Sequence, residues 1–174
     1  MADASWRHAG RPAYVLTISD RVAAGTAEDE TGPAICERLR ALGFNPGLEV
    51  APDEPDAIRA SVQGARPGSS LIVTNGGTGL SPRDVTPEAL REILDYEIPG
   101  FGEAMRADGR RSTPHAILSR SLAGVYRGAL VIALPGSPRA AVESLAAIEP
   151  VLAHALATLA GEAGRHPPPE GSAA

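Results

Sequence analysis

The sequence predicts an α/β fold of three layers, in which a mostly parallel sheet is flanked by helices. Strand-like and helix-like segments alternate with connections of a few residues, an order typical of βαβ units with right-handed crossovers. Hydrophobic residues make up 43% of the chain and aromatic residues only 3%. The core must therefore consist of Val, Ile, Leu and Ala, which suits a buried parallel sheet. At 174 residues the chain fits one domain that needs no disulfide or metal to fold.

The first half of the chain contains three strand-like runs separated by two helical patterns. The pattern at residues 33–42 places its apolar side chains on one face and stops at Gly43, a C′ position. The second pattern begins at Pro55 and stops before Gly64. The predicted strands span residues 14–18, 48–50 and 71–74.

Two helix starts are recognisable in the second half. Thr86 is predicted as an N-cap with Pro87 at the first helical position, and Ser137 is predicted to cap a helix that Pro138 opens. The second of these helices is rich in Ala and Leu and is predicted to run to about residue 159. A last strand is predicted at residues 129–134, just before it.

Both ends of the chain differ in composition from the predicted domain at residues 13–160. Residues 1–12 are predicted to form a flexible polar arm. Residues 161–174 contain clustered Pro, Gly, Ser and Ala and are predicted to form a disordered tail.

A glycine-rich segment at residues 76–79 follows one predicted strand and precedes a predicted helix. The backbone N–H groups of such a turn can face a phosphate. The segment has neither the GxxxxGK[ST] nor the GxGxxG pattern, so any nucleotide site here is of another type. A plain tight turn is the alternative, but the adjacent Arg83 and Asp84 favour a phosphate site. Because Thr86 is expected to cap the helix, Asp84 has no structural task and is predicted to be a reagent or metal ligand.

Polar residues follow several of the predicted strands. Ligands of parallel α/β sheets bind at the carboxyl ends of the strands, so we expect Ser19, Asp20, Asp53 and residues 76–84 on one rim. Residues 135–137 follow the last strand, and N–H groups at that helix start can bind an anion. A helix start without a ligand is the alternative interpretation of residues 135–137.

Composition excludes several classes of function. A formal net charge of −5 gives no basic surface for nucleic acid, which is not an expected partner. Cys36 alone forms neither a disulfide framework nor a thiolate metal site. No apolar run approaches the roughly 20 residues that span a bilayer, and the N-terminus lacks a signal-peptide core, so a soluble cytoplasmic protein without a membrane partner is predicted. A histidine zinc site is not expected, because no i, i+4 pair exists among His8, His115, His154 and His166.

Five separated motifs occur in order along the chain: GGTG at residues 76–79, RDVTPEA at 83–89, PGFGE at 99–103, LSR at 118–120 and LPGS at 134–137. With them the chain resembles the Mog/MoaB family of molybdenum cofactor biosynthesis over about residues 13–160. Its RDVTP version of the second motif is similar to the Mog branch and to the G domains of gephyrin-type proteins, which are molybdopterin adenylyltransferases.

The resemblance implies a homotrimer of Rossmann-like domains that transfers AMP from Mg-ATP to the terminal phosphate of molybdopterin, with release of pyrophosphate. Molybdopterin and ATP would be substrates and Mg²⁺ the cofactor. Molybdopterin synthase and molybdate-insertion proteins are the protein contacts that such a pathway suggests. Two alternatives stay open. One is a MoaB-like protein that binds molybdopterin or a precursor without efficient adenylylation, and the other is a non-catalytic scaffold domain.

The resemblance also implies roles for individual residues. Asp53 and Asp84 would be the catalytic carboxylates that bind or orient Mg²⁺, directly or through water, which fits the need of nucleotidyl transfer for hard oxygen ligands. A turn residue is the alternative for Asp53, an ion pair with Asp84 the alternative for Arg83, and helix surface the alternative for Glu103. The implied substrate-binding residues are Ser19, Asp20, Gly76, Gly77, Thr78, Gly79, Arg83, Glu103, Ser119, Pro135, Gly136 and Ser137.

Overall fold

A computed structural model describes residues 10–65 and 68–162. Most of the predicted N-terminal arm and C-terminal tail, residues 1–9 and 163–174, lies outside the described residues. The last part of the predicted arm is attached to the domain: Gly10 N donates to Gly43 O and Asn45 N donates to Arg11 O, both at 2.8 Å. Arg11 also forms an ion pair with Glu162 at 3.3 Å.

A six-stranded sheet forms the centre of the described domain. Its strands are β1 (Pro12–Ile18), β2 (Asn45–Ala51), β3 (Leu71–Asn75), β4 (Tyr96–Glu97), β5 (Ala123–Tyr126) and β6 (Ala129–Leu134). They lie in the order β2-β1-β3-β6-β5-β4. The pairs among β2, β1, β3 and β6 are parallel, whereas β4–β5 and β5–β6 are antiparallel. The prediction of a mostly parallel sheet is confirmed.

Helices cover both faces of the sheet, which gives the three predicted layers. They are α1 (Asp20–Ala23), α2 (Thr31–Ala41), α3 (Pro55–Gln63), α4 (Thr86–Arg91), α5 (Pro99–Gly109) and α6 (Pro138–Leu159), with a 3₁₀ helix at Pro114–Leu118. Val15 and Leu16 are neighbours in β1 and point to opposite faces, as strand geometry requires. Val15 belongs to a core cluster with residues of α2, α5 and α6, whereas Leu16 belongs to a second cluster with residues of α3 and α4.

The antiparallel part of the sheet is not predicted by the sequence pattern. Strands β5 and β6 form a hairpin through Arg127 (φ 48°) and Gly128 (φ 80°). Two successive residues with positive φ are typical of a type I′ turn, which usually carries Asn-Gly rather than Arg-Gly. Strand β4 has only two residues, too few to show alternation. Because the turn has an unusual sequence and the edge strand is short, this part of the sheet is not recognisable from the sequence.

Helix α2 begins two residues before the predicted position. Asp29 Oδ1 accepts hydrogen bonds from Thr31 N at 3.1 Å and Gly32 N at 2.9 Å. The carboxylate thus satisfies N–H groups that the first turn of a helix leaves without partners. Gly43, with φ 92°, follows the end of the helix as predicted.

Helix α6 is the one helix among the described residues that is long and apolar enough to span a membrane, with a mean hydropathy of 1.4. No such run is expected from the sequence. Leu145, Ile148 and Leu152 on this helix are at most 2% exposed and pack into the core, whereas Val151 is 50% exposed. One face of α6 is therefore occupied by the sheet, and part of its apolar surface is uncovered in the single chain.

Candidate functional site

The four parallel strands end at the same edge of the sheet, and polar segments follow each of them. Ser19 and Asp20 follow β1, Asp53 lies two residues after β2, the glycine segment follows β3, and Pro135 follows β6. Two of these segments are joined directly. Asp20 N donates to Asp53 Oδ2 and Asp53 N donates to Asp20 Oδ1, both at 2.9 Å.

Arg83 extends from the loop after β3 to the same pair of carboxylates. Its Nε and Nη2 atoms donate to Asp20 Oδ2 at 3.1 and 2.5 Å. These bonds, helped by the Asp53 backbone N–H, hold the pKa of Asp20 below its ordinary value. An ion pair between Arg83 and Asp84 is the alternative expected from the sequence, but the structure pairs Arg83 with Asp20 instead. Strands β1 and β3 are neighbours in the sheet, so the segment after β1 lies close to the loop after β3.

The pKa of Asp53 shifts in the opposite direction. Burial raises it above its ordinary value, and the charges of Asp20 and Asp84 raise it further, while the Asp20 N–H and Arg83 oppose the shift. Asp53 is therefore a half-buried carboxylate with two acidic neighbours. A cation placed among the three carboxylates would relieve this repulsion.

The glycine turn leaves space beside these carboxylates. Gly77 has φ 63°, and a Cβ atom there would lie 2.3 Å from Thr86 Oγ1 and 3.3 Å from Asp53 Oδ1. A Cβ atom on Gly79 would lie 2.9 Å from Asp84 Oδ2. Gly77 needs glycine because of its positive φ and its close approach to Thr86, and its bare face leaves Asp53 Oδ1 open to a ligand. A side chain on Gly79 would displace the Asp84 carboxylate.

The structure corrects two predictions about the loop that follows. Helix α4 begins at Thr86 with Val85 at the N-cap, so Pro87 is the second helical residue. The Thr86 side chain is fully buried, and its hydroxyl donates to Gly76 O at 2.9 Å, so it anchors the glycine turn instead of capping the helix. Asp84 has a structural task after all, because its Oδ2 accepts from Ser81 N at 2.7 Å.

Two clefts open at this rim. The first, the acidic cleft, has a volume of about 660 Å³ and is lined by Asp20, Glu28, Asp29, Glu30, Asp53 and Asp84 together with smaller polar residues. The second, the apolar cleft, has a volume of about 510 Å³. Its apolar lining includes Leu80, Met105, Leu118, Pro135 and Ala140, and Arg106, His115 and Glu143 also line it. Gly136 lines both clefts. The two clefts therefore adjoin at Gly136.

The predicted site residues divide between the two clefts. Arg83 lies against the acidic cleft through Asp20, and Gly136 belongs to both clefts. Glu103 is exposed on α5 and lines neither cleft, because it faces away from the packed side of that helix. Ser19, Asp20, Asp53, Gly76, Gly77 and Asp84 line the acidic cleft, whereas Thr78, Gly79, Ser119, Pro135 and Ser137 line the apolar cleft.

Two arginines at the site are absent from the sequence prediction. Arg106 lines the apolar cleft and donates to Ser121 O at 2.9 Å and, more weakly, to Ser119 O at 3.4 Å. Arg120 donates from Nε to Gly79 O at 2.7 Å, and its other guanidinium nitrogens bond Asp84 O and Glu88. Arg120 belongs to the LSR motif, which is the signal that could have indicated it.

No group of three or more His, Cys, Asp or Glu side chains within the described residues is arranged to hold a metal by itself. Any cation at the acidic cleft would therefore take fewer protein ligands and complete its coordination with water or substrate oxygens. Magnesium is commonly bound in this way, through one or two carboxylates and phosphate oxygens.

Comparisons with known proteins agree with this geometry. The sequence model of a family described as "Probable molybdopterin binding domain" matches residues 14–154. The chain is 49% identical to the molybdenum cofactor biosynthesis bifunctional protein of Synechococcus elongatus over 88% of its own length, and it spans about half (49%) of that relative. It is 40% identical to the molybdopterin adenylyltransferase of Helicobacter pylori strain J99, over 84% of this chain and 86% of the relative.

Solved structures of similar proteins have the same fold. The molybdopterin biosynthesis enzyme MoaB of Thermus thermophilus superposes with a TM-score of 0.79 at 49% identity, covering 86% of this chain and 96% of that one. A structure of MogA gives a TM-score of 0.81 at 39% identity, with coverages of 86% and 99%. The family match over most of the domain, the two adjoining clefts and these relatives together show that the chain belongs to the MoaB/Mog family of molybdenum cofactor biosynthesis proteins.

Proposed function

We propose that this protein transfers an adenylyl group from ATP to molybdopterin. An oxygen of the terminal phosphate of molybdopterin attacks the α-phosphorus of ATP, and the bond from that phosphorus to the β-phosphate oxygen breaks. Adenylyl-molybdopterin and pyrophosphate are the products. The observation that carries the proposal is the junction of two clefts of opposite character at Gly136. Relatives named molybdopterin adenylyltransferase, which this chain matches over most of their length, support it.

The apolar cleft suits the pterin part of molybdopterin. Met105, Leu118 and Pro135 offer apolar contact to a flat ring system. Arg106 brings a positive charge to the same cleft, where it suits an anionic or carbonyl oxygen of the substrate. A mainly apolar cleft with a few convergent polar groups is the usual form of a small-molecule site.

The acidic cleft suits a nucleotide bound with Mg²⁺. Asp53 and Asp84 would hold the ion, directly or through water. Gly77 and Gly79 have no side chains, which leaves room beside these two carboxylates. Burial, and after it the charges of Asp20 and Asp84, raise the pKa of Asp53. A divalent cation would remove the repulsion among these carboxylates. When bound, Mg²⁺ neutralises phosphate charge at the reacting phosphorus. The Asp20 backbone N–H donates to Asp53 Oδ2 and so orients the Asp53 carboxylate.

The two substrates would bring their phosphates together where the clefts meet. A Cβ atom on Gly136 would lie only 3.2 Å from Gly76 Cα, so the glycine turn and the loop before α6 touch through their backbones. Ser137 caps α6 by accepting from Ala140 N at 3.4 Å. The positive end of this long helix therefore lies at the junction and favours bound phosphate.

The assembly and the cellular setting are part of the same proposal. In the single chain only 33% of the most apolar stretch of α6 is buried. A homotrimer would cover the exposed apolar part of this helix. The protein would work in the cytoplasm, with molybdopterin synthase supplying its substrate and a molybdate-insertion protein consuming its product. The domain limits of residues 13–160 and a disordered tail from residue 161 also remain predictions.

One variant in each cleft tests the proposal. Purified protein is mixed anaerobically with molybdopterin, ATP and Mg²⁺, and adenylyl-molybdopterin is detected by mass. Asp84→Asn, which can still accept from Ser81 N, should abolish most product without weakening molybdopterin binding. Ala140→Phe should fill the apolar cleft and block molybdopterin binding while ATP binding persists. Matched controls are Asp56→Asn and Ala60→Phe, both at exposed positions of α3. Wild-type activity in both cleft variants would contradict the proposal.

A second candidate function is binding of molybdopterin or a precursor without adenylylation. The 49% identity to a solved protein named MoaB favours keeping it. Saturable molybdopterin binding with no product in the same assay would establish this function, and absence of both would favour a scaffold domain.

A further inference from the structure

An ion pair joins Arg83 to Asp20, which lines the acidic cleft. Asp20 follows β1, and Arg83 lies in the loop between β3 and α4, so the pair joins two separate parts of the rim. Asp20 Oδ1 is engaged by Asp53 N, and Arg83 holds the remaining oxygen, Oδ2, through two of its nitrogens. The guanidinium thus takes the only carboxylate oxygen of Asp20 that the Asp53 backbone leaves open.

The Arg83 side chain is held at one end and exposed at the other. Its backbone N donates to Ser81 Oγ at 3.2 Å, which fixes the start of the side chain. The side chains of Arg83 and Asp20 are 60% and 46% exposed. Exposed ion pairs of this kind are weak, because water competes for both partners. The two partners can therefore separate at low cost in free energy.

We propose that Arg83 is the resident counter-ion of the acidic cleft, opposing a divalent cation at the neighbouring carboxylates and moving from Asp20 to the nucleotide phosphates when Mg-ATP binds. The inference rests on the proposed function and adds an exchange step to it. A guanidinium binds phosphate through two parallel hydrogen bonds at least as well as it binds carboxylate. The divalent charge at the carboxylates would repel Arg83, and the phosphates would attract it.

The other charges around the cleft make a specific role for Arg83 testable. The charged groups that line the cleft beside Asp20 are Arg21, Glu28, Asp29, Glu30, Asp53 and Asp84, and the charges of Asp53 and Glu54 also act on Arg83. Arg21 is exposed and lines the same cleft, yet it forms no ion pair within the described part of the chain. Replacing Arg21 or Arg83 by a neutral residue changes the net charge by the same amount. Of these two arginines, Arg83 is the one that forms an ion pair with Asp20.

The first measurement is binding of Mn²⁺ to the free protein, without nucleotide, by electron paramagnetic resonance. Arg83→Gln should bind Mn²⁺ on the order of tenfold more tightly than the wild type, because a positive charge beside the ion is removed. Arg21→Gln should change this affinity less than about threefold, because its charge is not held at Asp20. An unchanged or weaker affinity in Arg83→Gln, an equal gain in both variants, or no Mn²⁺ binding by either protein would overturn the proposal.

The second measurement is binding of ATP in the presence of Mg²⁺ and without molybdopterin, by calorimetry. Arg83→Gln should bind ATP on the order of tenfold more weakly, since a charge-assisted contact to phosphate is lost. The Arg83→Gln variant should thus bind Mn²⁺ more tightly and ATP more weakly than the wild type. A structural defect would not raise one affinity and lower the other. A loss of both would overturn the exchange.

Failure of the exchange can be told apart from failure of the proposed function. If the wild type forms adenylyl-molybdopterin but the Arg83 variant shows no opposite changes, the exchange alone is wrong. If the opposite changes occur and the wild type forms no product, the exchange stands and the transfer reaction is wrong. Thermal unfolding of each variant confirms that the fold is intact, as expected for an exposed side chain.

Discussion

Asp20 and Asp53 each accept a hydrogen bond from the backbone N–H of the other, at 2.9 Å in both directions. This reciprocal pair fastens the segment after β1 to the segment after β2. It also places two carboxylates side by side, each held by a backbone N–H group. The positions of both side chains are therefore set by the backbone, which leaves one oxygen of each carboxylate for Arg83 or a ligand.

The pH dependence of stability should report the crowding at Asp53. Its folded-state pKa is raised, chiefly by burial and then by the neighbouring charges, above an ordinary value of 3.8. Its contribution to stability is thus fully present below that value and is lost as the pH rises through the folded-state pKa. Asn does not ionise, so Asp53→Asn does not lose this stability as the pH rises. The free energy of unfolding of the variant minus that of the wild type should therefore be larger at pH 7 than at pH 4. Denaturant unfolding without metal measures this difference, and a pH-independent difference would show that Asp53 is not crowded.

Gly77 should not tolerate a side chain. At φ 63° an alanine costs about 1–2 kcal/mol in backbone strain, and its Cβ would also meet Thr86 Oγ1. Gly77→Ala should lose this stability and bind ATP about tenfold more weakly, since backbone approach to a phosphate is blocked. Gly128 is the matched control, because it has φ 80° and nothing within 4 Å of an added Cβ. Gly128→Ala reports the backbone strain alone, whereas Gly77→Ala reports this strain together with the steric contact to Thr86. Chemical denaturation and ATP titration of both variants measure the two effects. Equal effects in the two would show that the space at Gly77 has no function.

Arg120 should act as a positioning residue for the loop that carries Asp84. It bonds Gly79 O and Asp84 O, and its backbone N donates to Thr78 O at 2.8 Å. Arg120→Met should lower kcat by about 100-fold, the scale expected when a reacting group is misplaced, with little change in KM for molybdopterin. Arg91→Met is the control, since Arg91 pairs with Glu97 away from the loop. Steady-state kinetics decides, and a pure KM effect would assign Arg120 to binding instead.

Arg106 should contribute to recognition of molybdopterin and not of ATP. It lines the apolar cleft and donates to the backbone carbonyls of Ser119 and Ser121, so its charge is not neutralised by these partners. Arg106→Met should weaken molybdopterin binding about 10- to 100-fold, the range for losing a charged hydrogen bond. ATP affinity should stay within about twofold, because the nucleotide is expected in the other cleft. Fluorescence titration with each ligand tests this, and equal losses for both ligands would place Arg106 outside the pterin site.

The sequence predicts well what depends on strand order and poorly what depends on folded contacts. Asp20, Asp53 and the glycine turn are expected on one rim because parallel strands end at one edge. The true partner of Arg83 lies 63 positions away at Asp20, and no local spacing reveals it. Thr86 looks like an N-cap, yet its buried hydroxyl turns to Gly76 O.

Adenylyl transfer is tested most directly by counting both products of the reaction. The wild-type protein, molybdopterin and Mg-ATP are incubated anaerobically, and adenylyl-molybdopterin and pyrophosphate are quantified over time. We expect one pyrophosphate for each adenylyl-molybdopterin, and neither product when ATP or molybdopterin is left out. Release of ADP and phosphate without adenylyl-molybdopterin, or bound molybdopterin that stays unmodified, would contradict the proposed transfer.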